Sequence, residues 1–447
     1  MNDKDELTAR LRDPSYTPPM SQAIPLGLQH LLAMFVSNIT PAIIVAGAAG
    51  FGYGSNSPDF HNLIYMIQVS MLFAGVATLF QTIGFGPVGA RLPIVQGTSF
   101  AFVPIMIPIV AGKGVDAMAV VTGGVMVGGL FHACLAPLIG KIRFALPPLV
   151  TGLVVTLIGL SLIKVGIQYS AGGVPAIGTE EYGSMLNWGI ALLVVVVTLV
   201  IKFMTRGMTS ISAILIGMLV GYAAAWMLGM VSFKNLGNAS YFAVPNPFHF
   251  GVEFTIASIV GFCLMSFISA IETVGDVSGI TKGGADREAT GEEIKGATFA
   301  DGLGSALSGM FGALPNTSFS QNVGLIALTG MMSRGVVTIC AIFLILAGFI
   351  PKIGALITTI PIEVLGGSIL VMFGMIVSAG ISMLSEVKWN RRNMVIFAIS
   401  LSLGLGLQQE PGALQHVDDT VKIFLTSGLL PAAFLAIILN LVIPQED

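Results

Sequence analysis

Two short stretches decide how this chain folds: LPIVQGTSF at Leu92–Phe100 and LPNTSF at Leu314–Phe319, which lie about half the chain apart. Thr98-Ser99-Phe100 in the first corresponds to Thr317-Ser318-Phe319 in the second. Thr, Ser, Phe and Val favour extended backbone, and in each stretch a proline precedes the Thr-Ser-Phe triplet. The pattern therefore predicts a short strand in each, followed by a half-helix, with the two strands paired antiparallel. Two ordinary Gly/Ser-rich helices are the alternative.

Composition places these stretches in a membrane protein. Of 447 residues, 54% are hydrophobic and only 10% charged, whereas soluble domains carry about 25% charged residues. The formal net charge of -3 argues against a polyanionic partner, so no nucleic-acid binding is expected. The sequence predicts an all-α polytopic protein whose surroundings are the lipid bilayer.

Fourteen apolar segments can be drawn, and most reach the ~20 residues that a helix needs to cross the hydrocarbon layer. They lie near 24–50, 62–84, 94–112, 117–139, 147–167, 186–203, 209–231, 254–275, 297–313, 316–330, 335–351, 360–381, 393–408 and 421–443. With residues 1–23 as a cytoplasmic tail, most of the 20 Lys and Arg residues fall on the cytoplasmic side. We expect a multi-pass protein of the cytoplasmic membrane with both termini inside.

Further pairs of stretches repeat at nearly the same separation. LAPLIGKI at Leu135–Ile142 matches LAGFIPKI at Leu346–Ile353, and PLVTGL at Pro148 resembles PIEVLGG at Pro361. The separation spans seven segments, so the second copy enters the membrane from the opposite side. Such inverted repeats, with interrupted segments at matching places, are typical of secondary transporters and point to a midplane site. Accidental similarity among Gly/Leu-rich helices is the alternative.

Four ionisable residues lie where an apolar helix would not normally hold them. Glu272 follows a long apolar run, Asp276 lies one turn later, Asp301 opens the ninth segment and His30 lies within the first. Charges at membrane depth usually mark a substrate pathway or a proton site. Simpler interpretations stay open. Glu272 can snorkel, Asp276 and Asp301 can lie at cytoplasmic boundaries, Asp301 can be an N-terminal helix carboxylate, and His30 can be structural.

A family resemblance rests on motifs spread along the chain. QNVGLIALTG at Gln321–Gly330 resembles the signature Q-N-x-G-x-x-x-x-T-[RKG] of the nucleobase–ascorbate transporters and matches every fixed position. IETVGD at Ile271–Asp276, ADG at Ala300–Gly302 and LQHLLAMF at Leu28–Phe35 resemble the same family in order and spacing. The resemblance covers essentially the whole chain.

This resemblance implies fourteen transmembrane segments in a 7+7 inverted repeat with two domains. The core domain would comprise 24–145 and 251–357, and the gate domain 146–250 and 358–447. It also implies a homodimer formed through the gate domain and transport by movement of the core against the gate.

The resemblance further implies that Glu272 and Gln321 hold a nucleobase. The chemistry agrees, because a carboxylate accepts from ring N–H groups and an amide can both donate to and accept from an amide-like edge. Phe100 could stack on the ring, and main-chain groups at Phe100 and Ser320 could complete the edge contacts. Ser99, which precedes the stacking Phe, is also predicted to be a substrate-binding residue. By resemblance, the remaining residues that support the site or couple it to protons are Asp276, Asp301, Asn322 and His30.

Gln321 resembles the branch that carries oxidised purines, since uracil-transporting relatives typically have Glu there. Relatives differ at the position of Ser99, so the choice between xanthine and uric acid stays open. The sequence thus predicts a proton-coupled purine symporter without a cofactor or metal. A uracil symporter or an anion exchanger on the same fold are the alternatives. An intramembrane enzyme is disfavoured because catalytic motifs are missing, and a channel because it has no need of two interrupted segments related by inversion.

Overall fold

The computed structural model describes residues 10–51, 59–139, 147–233, 236–237 and 239–444. Several sequence predictions fall partly outside these ranges. They concern the first nine residues of the tail, the end of the repeated stretch Leu135–Ile142 and the domain boundary at 145.

The described chain is built almost entirely from helices, with one pair of short strands. In chain order the elements are α1 (Met20–Ala49), α2 (Phe60–Thr82), β1 (Gln96–Thr98), α3 (Val103–Val110), α4 (Met118–Leu135), α5 (Pro148–Ser170), α6 (Met185–Met204), α7 (Ala213–Met227), α8 (Ile256–Ala285), α9 (Gly291–Met310), β2 (Asn316–Ser318), α10 (Ser320–Thr329), α11 (Arg334–Gly348), α12 (Pro351–Ile357), α13 (Ile362–Leu384), α14 (Arg391–Gln409), α15 (Asp419–Thr426) and α16 (Leu429–Val442). Each of the predicted apolar segments overlaps at least one of these helices.

Within the described ranges, seven helices are long and apolar enough to cross a membrane: α1, α2, α4 with its flanking turns, α5, α6, α8 and α13. The number becomes eight if α11 and α12, which are bent by 88° at their junction, form one span. The prediction of a helical, polytopic membrane protein is confirmed, and the count of fourteen crossings stays a prediction.

The two strands pair antiparallel, as predicted. Gln96 lies opposite Ser318 and Thr98 opposite Asn316, and all the strand residues are buried. Two further backbone hydrogen bonds extend the pair: Ser99 N donates to the Pro315 carbonyl (2.8 Å), and Phe319 N donates to the Val95 carbonyl (3.0 Å). Each strand leads into a short helix, so the alternative of two continuous helices is wrong.

The antiparallel strands have a topological consequence. β1 is followed by α3 and β2 by α10, so the same order of strand and short helix occurs twice. Because the strands run in opposite directions, the second copy of this unit is inverted relative to the first. α5 and α13, which begin at another pair of repeated stretches, also pack against each other.

Asp301 lies elsewhere in its helix than expected. α9 begins at Gly291, where Thr290 and Glu293 form a capping box, in which the Thr290 side chain accepts from Glu293 N and the Glu293 carboxylate accepts from Thr290 N. Asp301 is therefore in the helix interior and fully buried. Its interpretation as an N-terminal helix carboxylate is wrong, because the helix begins ten residues earlier, in polar turns that hydropathy does not detect.

Helices α4 and α9 approach closely through glycines. A Cβ atom at Gly302 would lie 2.7 Å from the Ala133 Cα and 2.8 Å from the Gly129 carbonyl oxygen. A Cβ at Gly129 would lie 2.8 Å from the Ala306 Cα. Small residues let helix backbones pack closely in membranes. This contact holds α9, and with it Asp301, against the rest of the helices.

We predict that Gly302→Ala destabilises the protein by about 1–3 kcal/mol, because the added methyl group meets backbone atoms that cannot move independently. Gly189→Ala in α6 is the matched control, since nothing lies within 4 Å of a Cβ atom there. Thermal unfolding of the purified proteins in detergent checks this. Equal unfolding temperatures for the two variants would contradict the proposed packing.

Candidate functional site

The Asp301 carboxylate joins four elements at the centre of the protein. It accepts hydrogen bonds from Gln81 Nε2 in α2 (2.7 Å) and Ser318 Oγ in β2 (3.5 Å). Gln96 Nε2 in β1 and Thr273 Oγ1 in α8 donate to the same carboxylate. An ionised carboxylate has about four acceptor sites. These four donors therefore occupy the acceptor sites of the Asp301 carboxylate, and they fix both strands relative to α8 and α9.

The outer edges of the strand pair are bonded to helix side chains. On β1, Asn38 Oδ1 in α1 accepts from Thr98 N (2.8 Å) and Thr98 Oγ1 (3.1 Å). On β2, Ser305 Oγ in α9 accepts from Asn316 N (3.0 Å) and donates to the Asn316 carbonyl (3.1 Å). Backbone groups that leave the helical pattern at membrane depth need such partners.

Helix α10, which follows β2, packs against α8. Ser320 Oγ at the start of α10 donates to Asp276 Oδ1 (2.7 Å). Further along, a Cβ atom at Gly279 would lie 2.9 Å from Val323. Asp276 is buried, and its Oδ2 atom has no hydrogen-bond partner among the described residues. The first turn of α10 is thus fixed to one face of α8.

Glu272 lies on the same face of α8 as Asp276. It is four residues earlier, which is about 6 Å along a helix. Ser269 of α8 contacts Thr317, Asp276 contacts Ser320 and Gly279 lies against Val323, so residues later in α8 meet residues later in β2 and α10. Glu272, between Ser269 and Asp276, therefore lies level with the end of β2 and the start of α10. Its side chain is partly exposed. The first N–H groups of a helix have no intrahelical partner, and of those in α10 Asn322 N donates to the Phe319 carbonyl (3.0 Å). The Glu272 carboxylate thus lies near a helix start.

A second contact joins α10 to α1. The Asn322 Nδ2 atom donates to His30 Nδ1 at 2.7 Å, and both side chains are buried. The Asn322 Oδ1 atom has no partner within the described part of the chain. The structure therefore brings together His30, Asn322, Asp276 and Ser320 around α10, as their selection from the sequence implies.

A cavity of about 550 Å³ lies beside the start of α10. Ser320 and Gln321 line it, and Gln321 is exposed to it. The remaining wall comes from α1, α6, α7 and α13 and the turn between α6 and α7.

Glu272, Ser99 and Phe100 are not part of this cavity wall. Ser99 is buried, with its hydroxyl accepting from Ala101 N (3.3 Å). Phe100 is partly buried and contacts Phe373 of α13 edge to face, with ring centroids 5.7 Å apart. Of the predicted binding residues, only Ser320 and Gln321 are among the described residues that line this cavity.

Sequence reasoning missed several residues that hold the site. Asn38, Gln81, Thr273 and Ser305 were not selected, although each bonds a strand or Asp301. Their signal was a polar side chain inside an apolar segment, which is shared by many unrelated Ser and Thr residues. Across the described residues, no group of three or more His, Cys, Asp or Glu side chains is placed to hold a metal ion.

Comparison with known proteins identifies the family. A family model described as "Permease family" matches residues 21–412. The chain belongs to this family, the nucleobase–ascorbate transporters. It is 35% identical to the xanthine permease XanP of Escherichia coli, over 99% of this chain and 95% of that protein. It is also 34% identical to the uric acid permease PucJ of Bacillus subtilis, over 94% of this chain and 92% of that protein.

Solved structures show the same fold at low sequence identity. The transmembrane domain of the cyanobacterial bicarbonate transporter BicA aligns with a TM-score of 0.57 and 14% identity, over 95% of this chain and 98% of that chain. The murine anion transporter Slc26a9 aligns with a TM-score of 0.55 and 11% identity, over 92% of this chain and 68% of that chain. The family member described here is a membrane transporter and not an enzyme.

We predict that Ser305→Ala destabilises the folded protein by about 1–3 kcal/mol, because it leaves the buried Asn316 N–H group without its acceptor. Ser400→Ala is the matched control. The Ser400 hydroxyl is equally buried but has no hydrogen-bond partner among the described residues, so its removal should cost little. Thermal unfolding in detergent distinguishes the two. If Ser400→Ala is as destabilising as Ser305→Ala, the assigned support of β2 is wrong.

Proposed function

We propose that this transporter takes up an oxidised purine base, xanthine or uric acid or both, together with a proton across the cytoplasmic membrane. The names of the relatives at 34–36% identity support a nucleobase substrate. The observation that best supports the proposal is the hydrogen bond from Ser320 to Asp276, because Gln321 follows Ser320 in α10 and Glu272 lies one turn before Asp276 in α8.

The proposed binding residues match the edge of a purine. Glu272 accepts from ring N–H groups, while the Gln321 amide pairs with an adjacent N–H and C=O. Ser320 adds a hydroxyl oxygen that can accept while its hydrogen is donated to Asp276 Oδ1, and backbone N–H groups at the start of α10 would be donors for the carbonyl oxygens of the base.

At the end of β1, Phe100 offers an aromatic face, with Ser99 beside it. Ser99 and Phe100 follow β1 as Ser320 and Gln321 follow β2, and in the antiparallel pair these two strand ends lie at opposite ends. The base would therefore lie between them, across the short strand pair. Phe100 would need to turn from its edge-to-face contact with Phe373 or stack with its exposed face.

The proton-carrying group in this proposal is Glu272. The described residues show no hydrogen bond to its side chain, whereas the acceptor sites of Asp301 are filled by four donors. Asp301 accordingly supports the site and does not move a proton. Asp276, Asn322 and His30 likewise hold α10 in position through the contacts described above.

We further propose that the chain crosses the membrane fourteen times with both termini in the cytoplasm. The core domain would comprise 24–145 and 251–357, the gate domain 146–250 and 358–447, and dimers would form through the gate. The cavity supports this division, since its wall combines α1 and α10 of the proposed core with α6, α7 and α13 of the proposed gate. Movement of core against gate would open and close it.

Uptake by cells that express the protein tests the substrate and the energy source. We expect the cells to accumulate xanthine or uric acid. Each of these bases should compete with uptake of the other, whereas uracil and sulfate should compete little. A proton that enters down a membrane potential of 100 mV supplies about 2.3 kcal/mol. A protonophore should therefore abolish accumulation, whereas removal of sodium should not. Sodium-dependent uptake that persists with a protonophore would contradict proton coupling, and preferred uptake of uracil or an inorganic anion would favour the alternatives.

Two variants separate binding from assembly. Gln321→Ala should weaken purine binding about ten- to a hundredfold by leaving a base edge unpaired, because an unmade hydrogen bond costs about 1–3 kcal/mol. Glu272→Gln keeps the shape but cannot release a proton, so it should impair accumulation more than folding. Binding and uptake of labelled xanthine or uric acid measure both effects.

Gel filtration in detergent is the control for these variants, and both should elute as the wild-type protein does. Unchanged apparent affinity of Gln321→Ala would show that the proposed site is wrong. If neither variant accumulates in the membrane, the two residues are structural.

A further inference from the structure

Among the described residues that line the cavity beside α10, Lys202 is the single ionisable one. It lies in the last turn of α6, whereas Ser320 and Gln321 belong to α10. The surrounding wall is mostly apolar, with Leu199, Phe203 and Leu328 among its members, and the hydroxyls of Ser210 and Ser212 are also present.

The Lys202 ammonium group is available to a ligand. Its side chain is exposed, and it forms no ion pair with any residue that the structure describes. The Ser210 hydroxyl donates to the Lys202 carbonyl (2.9 Å), which ties the turn after α6 to the end of the helix. The backbone that carries Lys202 is therefore fixed at the cavity wall by a bonded turn.

Two general explanations account for a basic residue here but not for its position at the cavity. Cations are favoured at helix C-termini, and basic residues are enriched at the cytoplasmic ends of membrane helices. Arg206 lies one turn further along and satisfies both rules, yet it does not line the cavity. Lys202 thus differs from its neighbour by facing the space that the proposed substrate would cross.

We infer that Lys202 determines specificity by favouring the anionic form of an oxidised purine in this cavity. This inference rests on the proposed function and deepens it. In such purines, ring N–H groups flanked by carbonyls lose a proton readily, and the resulting monoanion is planar and delocalised. A cation beside apolar walls attracts an anion more strongly than one in bulk water, while it offers a neutral base little.

The test compares uric acid and xanthine at mildly acidic pH, where uric acid is largely a monoanion and xanthine largely neutral. Equilibrium binding to the purified full-length protein at low ionic strength is the measurement. Lys202→Gln should weaken uric acid binding about three- to tenfold and leave xanthine binding unchanged. Lys202→Arg should retain wild-type binding, and the difference caused by Lys202→Gln should shrink at high salt.

Arg206→Gln is the matched control and should bind both bases as the wild type does. If only one base binds, wild type and Lys202→Gln are compared across the pH range in which that base ionises, and the difference should grow with the anionic fraction. Equal weakening of both bases, or no effect at any pH, would overturn the role of Lys202. A wild-type protein that binds no purine would instead overturn the proposed function.

Discussion

Backbone N–H and C=O groups inside a membrane must find partners within the protein, and this requirement governs the centre of the molecule. The chain leaves the helical pattern at β1 and β2, where the strands satisfy each other by antiparallel pairing. Their outer edges are bonded by Asn38 and Ser305. Asp301 then joins the strand side chains to α2 and α8. Without these contacts, extended backbone at this depth would be strongly unfavourable.

The satisfied strands have a chemical consequence. Each strand is followed by a short helix, and a helix N-terminus is favourable for a polar ligand because it carries backbone N–H groups and the positive end of the helix dipole. Because Ser320 is bonded to Asp276 and Asn322 to His30, the start of α10 is fixed to both α8 and α1. A binding site supported in this way loses little flexibility when a ligand enters, which favours affinity. The same rigidity would let the strand region move as one body in the proposed transport cycle.

The sequence was informative where the information was local. Repeated Thr-Ser-Phe triplets after prolines predicted both strands and their pairing, and the i, i+4 spacing of Glu272 and Asp276 placed them on one helix face. The location of Asp301 was misjudged because hydropathy begins at the apolar part of α9, whereas the helix begins at the capping box of Thr290. Partners such as Asn38 depend on contacts between distant segments, and no local periodicity encodes them.

The central claim is that a purine binds at the start of α10 between Glu272 and Gln321. A structure of the full-length protein with xanthine or uric acid bound tests it most directly. The account predicts that the base lies against the ends of β1 and β2, with its polar edge on the Glu272 carboxylate and the Gln321 amide. A base bound away from both residues, for example against the α5–α13 contact, would contradict the account.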